Sequence, residues 1–300
     1  MKWEKLGLIF SSKKQNYSMW SHASVPIAEH IKNDLFKIYF SSRDKNNKSY
    51  TNFILINIKN PSKILSISKK PILIPGKLGE FDDSGSMATW ITQKKNTSFL
   101  FYIGWNLGLN VPFRNSIGLA IKKNQGEFLK YSNGPVIDRT ISEPHFNASC
   151  SVLIDRNIWK MWYLSCTEWK LIKNKPQHKY HIKYAESKNG IDWVRKGIVA
   201  IDYKSSREYA ISRPSVIKDK NIWKMWYSYR GKKYRIGYAE SKDGKRWNRL
   251  DHLAGISPSK NGWDSEMIEY PFVFNHNGSR YMLYNGNGFG ASGFGLAILE

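Results

Sequence analysis

The chain has 300 residues, of which 41% are hydrophobic and 14% are aromatic, and this composition excludes an intrinsically disordered protein. The formal net charge is +23 at pH 7, yet the basic residues are spread through turns such as Lys13–Lys14 and Lys232–Lys233. No helix or arm focuses them, so nucleic-acid binding is disfavoured. A solvated surface is the favoured interpretation, and attraction to an acidic glycan, a lipid headgroup or a nucleic acid is the alternative.

Cellular location is predicted from three features of the chain. No apolar run is long enough to span a bilayer. The first residues, MKWEKLGLIFSSKK, have too short an apolar run for a signal peptide and lack a small-residue cleavage site. Cys150 and Cys166 are the two cysteines. We therefore expect a cytoplasmic protein with reduced thiols, and we predict no cofactor and no metal site.

The first predicted element is the strand WEKLGLIF at Trp3–Phe10. It matches two later segments, WVRKGIVAI beginning at Trp193 and WNRLDHLAGI beginning at Trp247. Both later segments follow a third strand in their own part of the chain. The opening strand therefore has the pattern of a fourth strand without the three that should precede it.

A repeat runs through the rest of the chain. IWKMWY at 158–163 recurs at 222–227, and each copy is followed by a YAES segment. Weaker copies read LFKIYF, SFLFYI and SRYMLY. The tyrosines that close the five copies are Tyr39, Tyr102, Tyr163, Tyr227 and Tyr284. A period of about 60 residues is typical of propeller blades.

Each repeat contains four short apolar strands separated by Gly, Asn, Asp and Ser turns. The last repeat stops after its third strand, GFGLAILE, so the strand at Trp3–Phe10 can complete it. The sequence thus predicts an all-β fold, a five-bladed β-propeller with four-stranded antiparallel blades. Residues 1–300 form one domain in this prediction, and residues 1–10 close blade five.

Two turns with the pattern S-K-[ND]-G-x-x-W, at Ser187–Trp193 and Ser241–Trp247, resemble the sialidase Asp-box. We expect them to be structural, because Asn189 or Asp243 can bond the turn backbone while the following glycine adopts a positive φ. The tryptophan would then pack between blades.

Prolines give a register for comparing blades. Pro26, Pro214 and Pro271 each precede their repeat tyrosine by 13 residues, and Thr89 and Cys150 take the same place in blades two and three. Six or seven positions earlier stand acidic residues, and two more follow in blade five. These residues are Asp82, Asp83, Glu143, Glu208, Asp264, Glu266 and Glu269. We expect them to gather at one mouth of a central funnel.

Paired carboxylates suit glycosyl transfer, because one donates a proton to the leaving oxygen while the other acts as base or nucleophile. Crowding raises the pKa of one of them, so acid and base can coexist near neutral pH. The alternative is that these carboxylates cap turns or pair with Arg207, Arg213 or Arg230.

Aromatic and amide side chains near strand ends extend the predicted sugar site, since indole faces stack on pyranose rings and amides bond hydroxyls. The candidates are Trp20, Trp90, Trp105, Trp263, His22, Asn106, Asn285 and Asn287, together with Glu143, Asp264, Arg213 and Arg230. Any single tryptophan here could equally be packing between blades. The segment NGNGFGASGFG at 285–295 has no helix after it and is predicted to be a tight hairpin rather than a phosphate loop.

Taken along the whole chain, these features resemble the five-bladed propeller superfamily of glycoside hydrolases, which includes invertases, levansucrases, arabinanases, β-xylosidases and mannoside phosphorylases. The inner-strand segments SVPIAEH, GSMATWI, ASCSVLI, SRPSVIK and EYPFVFN carry the resemblance, with the MWY strands and the S-x-[ND]-G-x-x-W turns. FDDSG, ISRP, WDSEM and NGNG also resemble segments of glucosyl-hydrolase-like proteins encoded with bacterial surface-polysaccharide genes.

The superfamily places a catalytic Asp before the inner-strand Pro of an early blade, and an acid Glu two residues before it in a later one. Here Val25 and Arg213 precede Pro26 and Pro214, so the first role is unfilled. Glu269 fits the E-x-P spacing, but in blade five. The resemblance therefore implies a site without a complete set of known catalytic residues.

The catalytic candidates follow from both arguments. Asp82 or Asp83 is the candidate base or nucleophile, and Arg213 is the candidate group for an anionic substituent such as a sugar carboxylate. The candidate acids are Glu208, Glu266 and Glu269.

The leading hypothesis is a glycoside-processing enzyme, a hydrolase or transglycosidase, acting on a bacterial surface polysaccharide or related glycan. The alternative is a non-catalytic glycan-binding propeller. In both cases the expected partner is a carbohydrate, without a membrane span.

Overall fold

The computed structural model describes residues 1–124 and 126–300. Its regular structure is 21 strands and one short 3-10 helix, Asp251–Leu253, within that part of the chain. The strands are β1 Trp3–Phe10, β2 Ser21–Lys32, β3 Leu35–Arg43, β4 Ser49–Asn57, β5 Asn60–Ile67, β6 Gly85–Lys94, β7 Thr97–Leu107, β8 Phe113–Lys123, β9 Leu129–Lys130, β10 Asn147–Asp155, β11 Ile158–Ile172, β12 Lys175–Ser187, β13 Trp193–Val194, β14 Val199–Ile201, β15 Ala210–Asp219, β16 Ile222–Arg230, β17 Tyr234–Ser241, β18 Asn248–Arg249, β19 Glu269–His276, β20 Ser279–Asn285 and β21 Phe294–Leu299. The all-β prediction is confirmed. Across the described ranges, no helix has the length and apolar character needed to cross a bilayer.

The opening strand joins the end of the chain. β1 pairs antiparallel with β21, from Trp3 opposite Leu299 to Phe10 opposite Phe294, and the sheet order is β1-β21-β20-β19. The Trp3 indole packs edge-on against Trp226 and donates a hydrogen bond from Nε1 to the Ala254 carbonyl at 3.0 Å. Trp3–Phe10 therefore lies in one four-stranded antiparallel sheet with the last three strands of the chain.

The remaining strands form two larger sheets, each divided into two antiparallel groups. In one sheet β2-β3-β4 meets β6-β7-β8 through a single parallel bridge between Ser49 and Gly85. In the other, β10-β11-β12 meets β15-β16-β17 through one parallel bridge between Tyr180 and Ala210. Short strands add a fourth member to each group. This is the pattern of four-stranded units in succession.

The first strands of the successive antiparallel groups lie next to one another. β2 contacts β6, β6 contacts β10, β10 contacts β15, β15 contacts β19, and β19 contacts β2. We call these five the inner strands. Their contacts run in a closed cycle, so residues near their beginnings face a common centre.

Each inner strand has a β-bulge at the proline register. The pairing shifts occur after Ser24, Ala88, Ala148, Ser212 and Glu269. Val25, Arg213 and Tyr270, the residues before the three prolines, have φ values of 54°, 52° and 55°. A residue before proline is excluded from the right-handed helical region, and a bulge redirects its side chain. The bulges turn these side chains toward the centre.

The Asp-box-like turns are structural, as predicted. Asn189 Oδ1 accepts from the Ile191 and Asp192 amides at 2.9 Å, and Asp243 Oδ1 accepts from the Lys245 and Arg246 amides at 2.8 Å. Gly190 and Gly244 have φ values of 80° and 76°. Trp193 packs on Phe101 and Trp247 on Trp162, each an aromatic ring of the preceding unit. Both cysteines are buried and free.

Candidate active site

A cavity of about 400 Å³ opens where the inner strands begin. This is within the size range of small-ligand sites. Every inner strand contributes to its wall, as do the ends of several second strands. The lining residues are His22, Ser24, Val25, Ser41, Arg43, Asn47, Ser49, Met87, Ile103, Trp105, Phe113, Asn115, Ala148, Ser149, Leu164, His178, Tyr180, Ser212, Arg213, Arg230, Tyr234, Tyr270 and Phe289. No carboxylate of the described residues is among them.

Arg213 lines this wall and is only 1% exposed. Its Nη1 donates to the carbonyl of Thr89 and to Thr89 Oγ1 at 3.1 Å, while its Nη2 donates to the Pro26 carbonyl at 3.2 Å. The side chain therefore ties together three inner strands. Burial lowers the pKa of Arg213 to about 9, so the guanidinium is still charged at neutral pH.

Arg43 and Arg230 stand at the ends of β3 and β16, where those strands reach the cavity. The Arg230 guanidinium lies 5.3 to 5.4 Å from the ring centres of Tyr209, Tyr234 and Phe289. These rings hold it by cation–π attraction. Arg43 is partly buried and belongs to a different repeat from Arg230.

Glu269 lies beside the cavity, one residue before the lining residue Tyr270. Its side chain is 0% exposed, and neither carboxyl oxygen has a hydrogen-bond partner among the described residues. Burial raises the pKa of Glu269 well above its usual range, and the nearby positive charge of Arg230 opposes that rise. Burial thus favours the protonated form of this carboxyl group.

Three tyrosines surround Glu269 and Arg230. The hydroxyls of Tyr180 and Tyr234 share a short hydrogen bond. Burial raises the pKa of Tyr270 well above its usual value, Glu269 and Tyr234 add to the rise, and Arg230 and Arg43 oppose it. All three phenols remain neutral and offer hydroxyl groups to a ligand.

Four of the predicted site residues line the cavity: His22, Trp105, Arg213 and Arg230. Burial, helped by the positive charge of Arg43, lowers the pKa of His22 to about 4, so its imidazole is neutral at pH 7. Trp105 supplies an indole to the wall, as a sugar-stacking residue would.

The predicted acidic ring is not brought together at this mouth. Asp82 forms an ion pair with Lys130 at 2.6 Å, and Asp264 forms one with Lys5 at 2.6 Å. Glu143 accepts from the Tyr163 hydroxyl at 2.8 Å and from Ser165 Oγ at 3.0 Å. Each carboxylate is buried within its own unit. There a cation neutralises its charge or hydroxyl groups donate hydrogen bonds to it. The expectation that these residues line one funnel is corrected accordingly.

The same hydrogen bond recurs at three other repeat tyrosines. Glu29 accepts from Tyr39 at 2.6 Å, Asp251 accepts from Tyr227, and Asp264 accepts from Tyr284 at 3.1 Å. Burial is the larger cause of the raised pKa of Tyr102, and the negative charge of Asp82 adds to it. These carboxylates thus anchor the second strand of each unit.

Three other carboxyl candidates also lie away from the cavity wall. Glu208 makes a two-point ion pair with Arg249, at 2.8 and 3.1 Å. Asp83 accepts from the Gly79 amide and from Ser84 Oγ, both at 3.0 Å. Glu266 is exposed, and a hydrogen bond from Lys233 lowers its pKa, so this carboxylate is ionised and poorly suited to act as an acid.

Of the remaining sugar-binding candidates, Trp90 and Asn285 make structural contacts, and Asn106 lines a second pocket. Trp90 donates from Nε1 to the Val152 carbonyl at 2.7 Å and packs on Phe272. The side chain of Asn285 is fully buried. Its Nδ2 donates to the carbonyls of Ala23 and Gly293, and its Oδ1 accepts from the Val25 amide. Both are structural in this arrangement, and the glycine-rich loop after Asn285 connects β20 to β21 as predicted.

Asn106 lines a second, polar pocket of about 280 Å³. Asn115 lines both pockets, so the two adjoin. Asp138 faces this second pocket and accepts from Ser116 Oγ at 2.7 Å. The pair of pockets leaves room for more than one sugar unit.

The residues that sequence reasoning missed are Arg43, His178, Tyr180, Tyr234 and Tyr270. A usable signal existed for Tyr270, because it stands immediately before Pro271 as Arg213 stands before Pro214. Arg43 had a positional signal, which it shares with the predicted residue Arg230. Each is the last residue of a second strand, and that strand runs antiparallel to its inner strand, so its end lies at the mouth where the inner strand begins.

Comparison with other sequences gives relatives over the full length. No model of a known protein family matches the chain. Rv1502 (strain ATCC 25618 / H37Rv) and MT1551 (strain CDC 1551 / Oshkosh), both of Mycobacterium tuberculosis, are each 41% identical over 300 residues, which is 100% of this chain and of each relative. The 1,2-beta-oligomannan phosphorylase of Thermoanaerobacter sp. (strain X514) is 25% identical over 210 residues, 69% of this chain and 65% of that protein.

Comparison with solved structures identifies the fold. A glycosyl hydrolase from Bacteroides ovatus has a TM-score of 0.74 at 14% identity, covering 99% of this chain and 93% of that one. A thermostable family-43 glycoside hydrolase has a TM-score of 0.68 at 13% identity, covering 95% and 91%. The resemblance to the propeller superfamily of glycoside hydrolases is confirmed at the level of the fold.

Proposed function

The chain belongs to the same family as Rv1502 and MT1551 of Mycobacterium tuberculosis, and for this family member we propose glycan processing at the central cavity. The observation that carries the proposal is Glu269, a fully buried carboxyl group beside a cavity of about 400 Å³, where burial raises its pKa. The fold alone would not be enough, because propellers host many functions.

The architecture in this proposal is one domain of five blades. The closed cycle of contacts among the five inner strands supports the count, as does the pairing of β1 with β21. With five blades, the bulged positions of all five inner strands converge on one site. Side chains from distant parts of the chain can therefore act on a single ligand.

Glu269 is the proposed general acid. Cleavage of a glycosidic bond leaves an alkoxide that must be protonated, and a carboxyl group can do this at neutral pH only when its pKa is raised. Trp105 and Phe113 offer apolar faces for a pyranose ring, and the tyrosine and serine hydroxyls of the wall offer hydrogen bonds.

A non-catalytic glycan-binding propeller is the second candidate. It is favoured by the lack of any Asp or Glu in the described lining of the cavity, since hydrolysis by two carboxylates needs a base or nucleophile as well as an acid. If Asp82 or Asp83 supplies that role, it must act from outside the present wall.

Turnover on a panel of glycans tests the proposal. The panel should include β-1,2-linked oligomannan, with and without phosphate, because the phosphorylase relative is named for that substrate. We expect sugar release by the native protein, and a loss of about 10²- to 10⁴-fold in Glu269→Gln.

Asp83→Asn is the matched variant, since it changes the charge of a carboxylate outside the cavity. Loss of turnover in Asp83→Asn but not in Glu269→Gln would assign catalysis to the acidic residues that stand six or seven positions before the prolines. Glycan binding without any release over long incubation would favour the non-catalytic candidate.

A further inference from the structure

Buried positive charge is balanced by carboxylates through most of this molecule. Lys122 pairs with Glu29 at 2.6 Å, and Lys130 pairs with Asp82 at the same distance. Arg249 pairs with both Glu208 and Asp251, and Arg280 with Asp219. A charge removed from water needs such a partner, because desolvation is costly.

The three arginines of the cavity depart from this pattern. Arg43, Arg213 and Arg230 form none of the ion pairs found in the described ranges. The Nε atoms of Arg213 and Arg230 are buried without a hydrogen-bond partner there. All three nevertheless line the same cavity. Three arginines that have no carboxylate partner among the described residues thus meet at one cavity.

The nearest acidic group does not neutralise it. Glu269 is close enough to Arg230 for that arginine to oppose the rise of its pKa, but burial is the larger effect and favours the neutral carboxyl group. His22 is neutral at pH 7, and the tyrosines of the wall are neutral as well. The described wall of the cavity thus holds three arginines and no carboxylate, an arrangement that favours an anionic ligand.

The three guanidinium groups have different roles. The Nη atoms of Arg213 are committed to the backbone of Thr89 and Pro26, so this residue contributes mainly charge. Arg230 is clamped by aromatic rings, with its N–H groups at the cavity, and Arg43 has no side-chain hydrogen bond among the described residues. Planar guanidinium groups of this kind bind carboxylate and phosphate oxygens in pairs.

We propose that the cavity recognises an anionic sugar, with the carboxylate or phosphate group of the sugar held by Arg43 and Arg230 above the buried Arg213. The inference rests on the proposed function in taking the ligand to be a glycan. It shifts the predicted anion contact from Arg213 to Arg43, a residue outside the sequence register, and to Arg230.

Calorimetry with matched pairs of sugars tests this assignment. The first pair is methyl β-glucuronide and methyl β-glucoside, and the second is glucose 6-phosphate and glucose; inorganic phosphate is measured alone. We expect the charged member of at least one pair to bind about tenfold more tightly or better, since charge-assisted hydrogen bonds contribute on that scale.

Arg43→Met and Arg230→Met should each remove most of the preference for charge, while their unfolding transitions show that they remain folded. Arg246→Met is the matched control, because Arg246 is exposed on a turn and does not line the cavity. Equal affinity for the charged and neutral sugars, or no binding by any probe, contradicts the proposal. Inorganic phosphate binding as tightly as the sugar phosphate overturns the assignment of the anion to a sugar.

The same experiment separates the inference from glycan processing. Turnover of a neutral glycan that depends on Glu269, without any preference for charge, would overturn only the arginine assignment. Charge-dependent binding without turnover would overturn only the catalytic proposal.

Discussion

At the scale of single residues, Glu269 has the environment that differs most from that of a carboxyl group in water. It is enclosed by the start of β19, beside the positive charge of Arg230, and both oxygens lack partners in the described structure. Burying the ionised form would cost more than burying the neutral one. The folded protein therefore binds a proton at Glu269 that the unfolded chain releases.

Replacing Glu269 should change how stability depends on pH. The folded pKa lies above the unfolded value of 4.5, so the contribution of Glu269 to the free energy of unfolding is largest below that value and falls as pH rises toward the folded pKa. Gln cannot ionise, and the fall should be reduced in Glu269→Gln. Urea denaturation between about pH 5 and 9 measures the slope.

Glu266→Gln serves as the control for this measurement. Glu266 is exposed with a lowered pKa, so it is ionised in both folded and unfolded protein across that range and should leave the slope unchanged. If Glu269→Gln kept the pH dependence of the native protein, the buried carboxyl would not be protonated in the fold.

At the scale of elements, the repeat tyrosine and its carboxylate form the recurring unit of the blades. Tyr163 bonds Glu143 and Tyr284 bonds Asp264, with Lys183 and Lys5 as the respective nearby cations. The carboxylates come from loops before inner strands or from other strands, while the tyrosines come from second strands. Each contact therefore fixes two elements of a blade against each other.

Asp82 allows this structural role to be separated from catalysis. Asp82→Asn leaves Lys130 without its carboxylate, and breaking a largely buried pair should lower the free energy of unfolding by about 2 to 4 kcal/mol. Binding at the cavity should be unchanged. Urea denaturation and calorimetry on the same sample measure both.

The double variant Asp82→Asn with Lys130→Met completes a thermodynamic cycle, and the two losses should not add. An Asp82→Asn protein that kept its stability but lost turnover would contradict the structural role and support the acidic funnel.

The fold could be predicted from the sequence because its signals are local. IWKMWY and the YAES segments repeat with the blades, and the missing fourth strand is visible as WEKLGLIF at the other end of the chain. The site was less accessible. Asp82 meets Lys130 from β9, and Glu208 meets Arg249 from β18, so the register of distant strands decides which carboxylates are already paired.

The direction of a side chain at the bulge was the second property that the sequence did not reveal. Equal spacing before Pro214 and Pro271 correctly groups Arg213 with Tyr270, but only the φ values and pairing shifts show that these side chains turn inward. Residues six or seven places earlier stand in loops, where spacing does not fix direction.

At the scale of the whole molecule, the net charge of +23 has two components. Most lysines lie in turns and contribute a diffuse field that can draw acidic ligands toward the protein. The three cavity arginines add a local charge that is desolvated and therefore stronger. In the proposed account, the diffuse component would attract polyanions in general, and the local component would select the anionic sugar.

The propeller makes that local site possible. Arg43, Arg213 and Arg230 come from β3, β15 and β16, and the inner strands bring them to one cavity together with Glu269 of β19.

A crystal structure with a bound glycan, chosen as the tightest ligand of a glycan array, tests the central claim most directly. We predict a sugar ring in the central cavity beside Trp105, an oxygen of its glycosidic bond within hydrogen-bond reach of Glu269, and its charged group between Arg43 and Arg230. A glycan bound elsewhere on the surface, with the cavity free of sugar, would contradict the account.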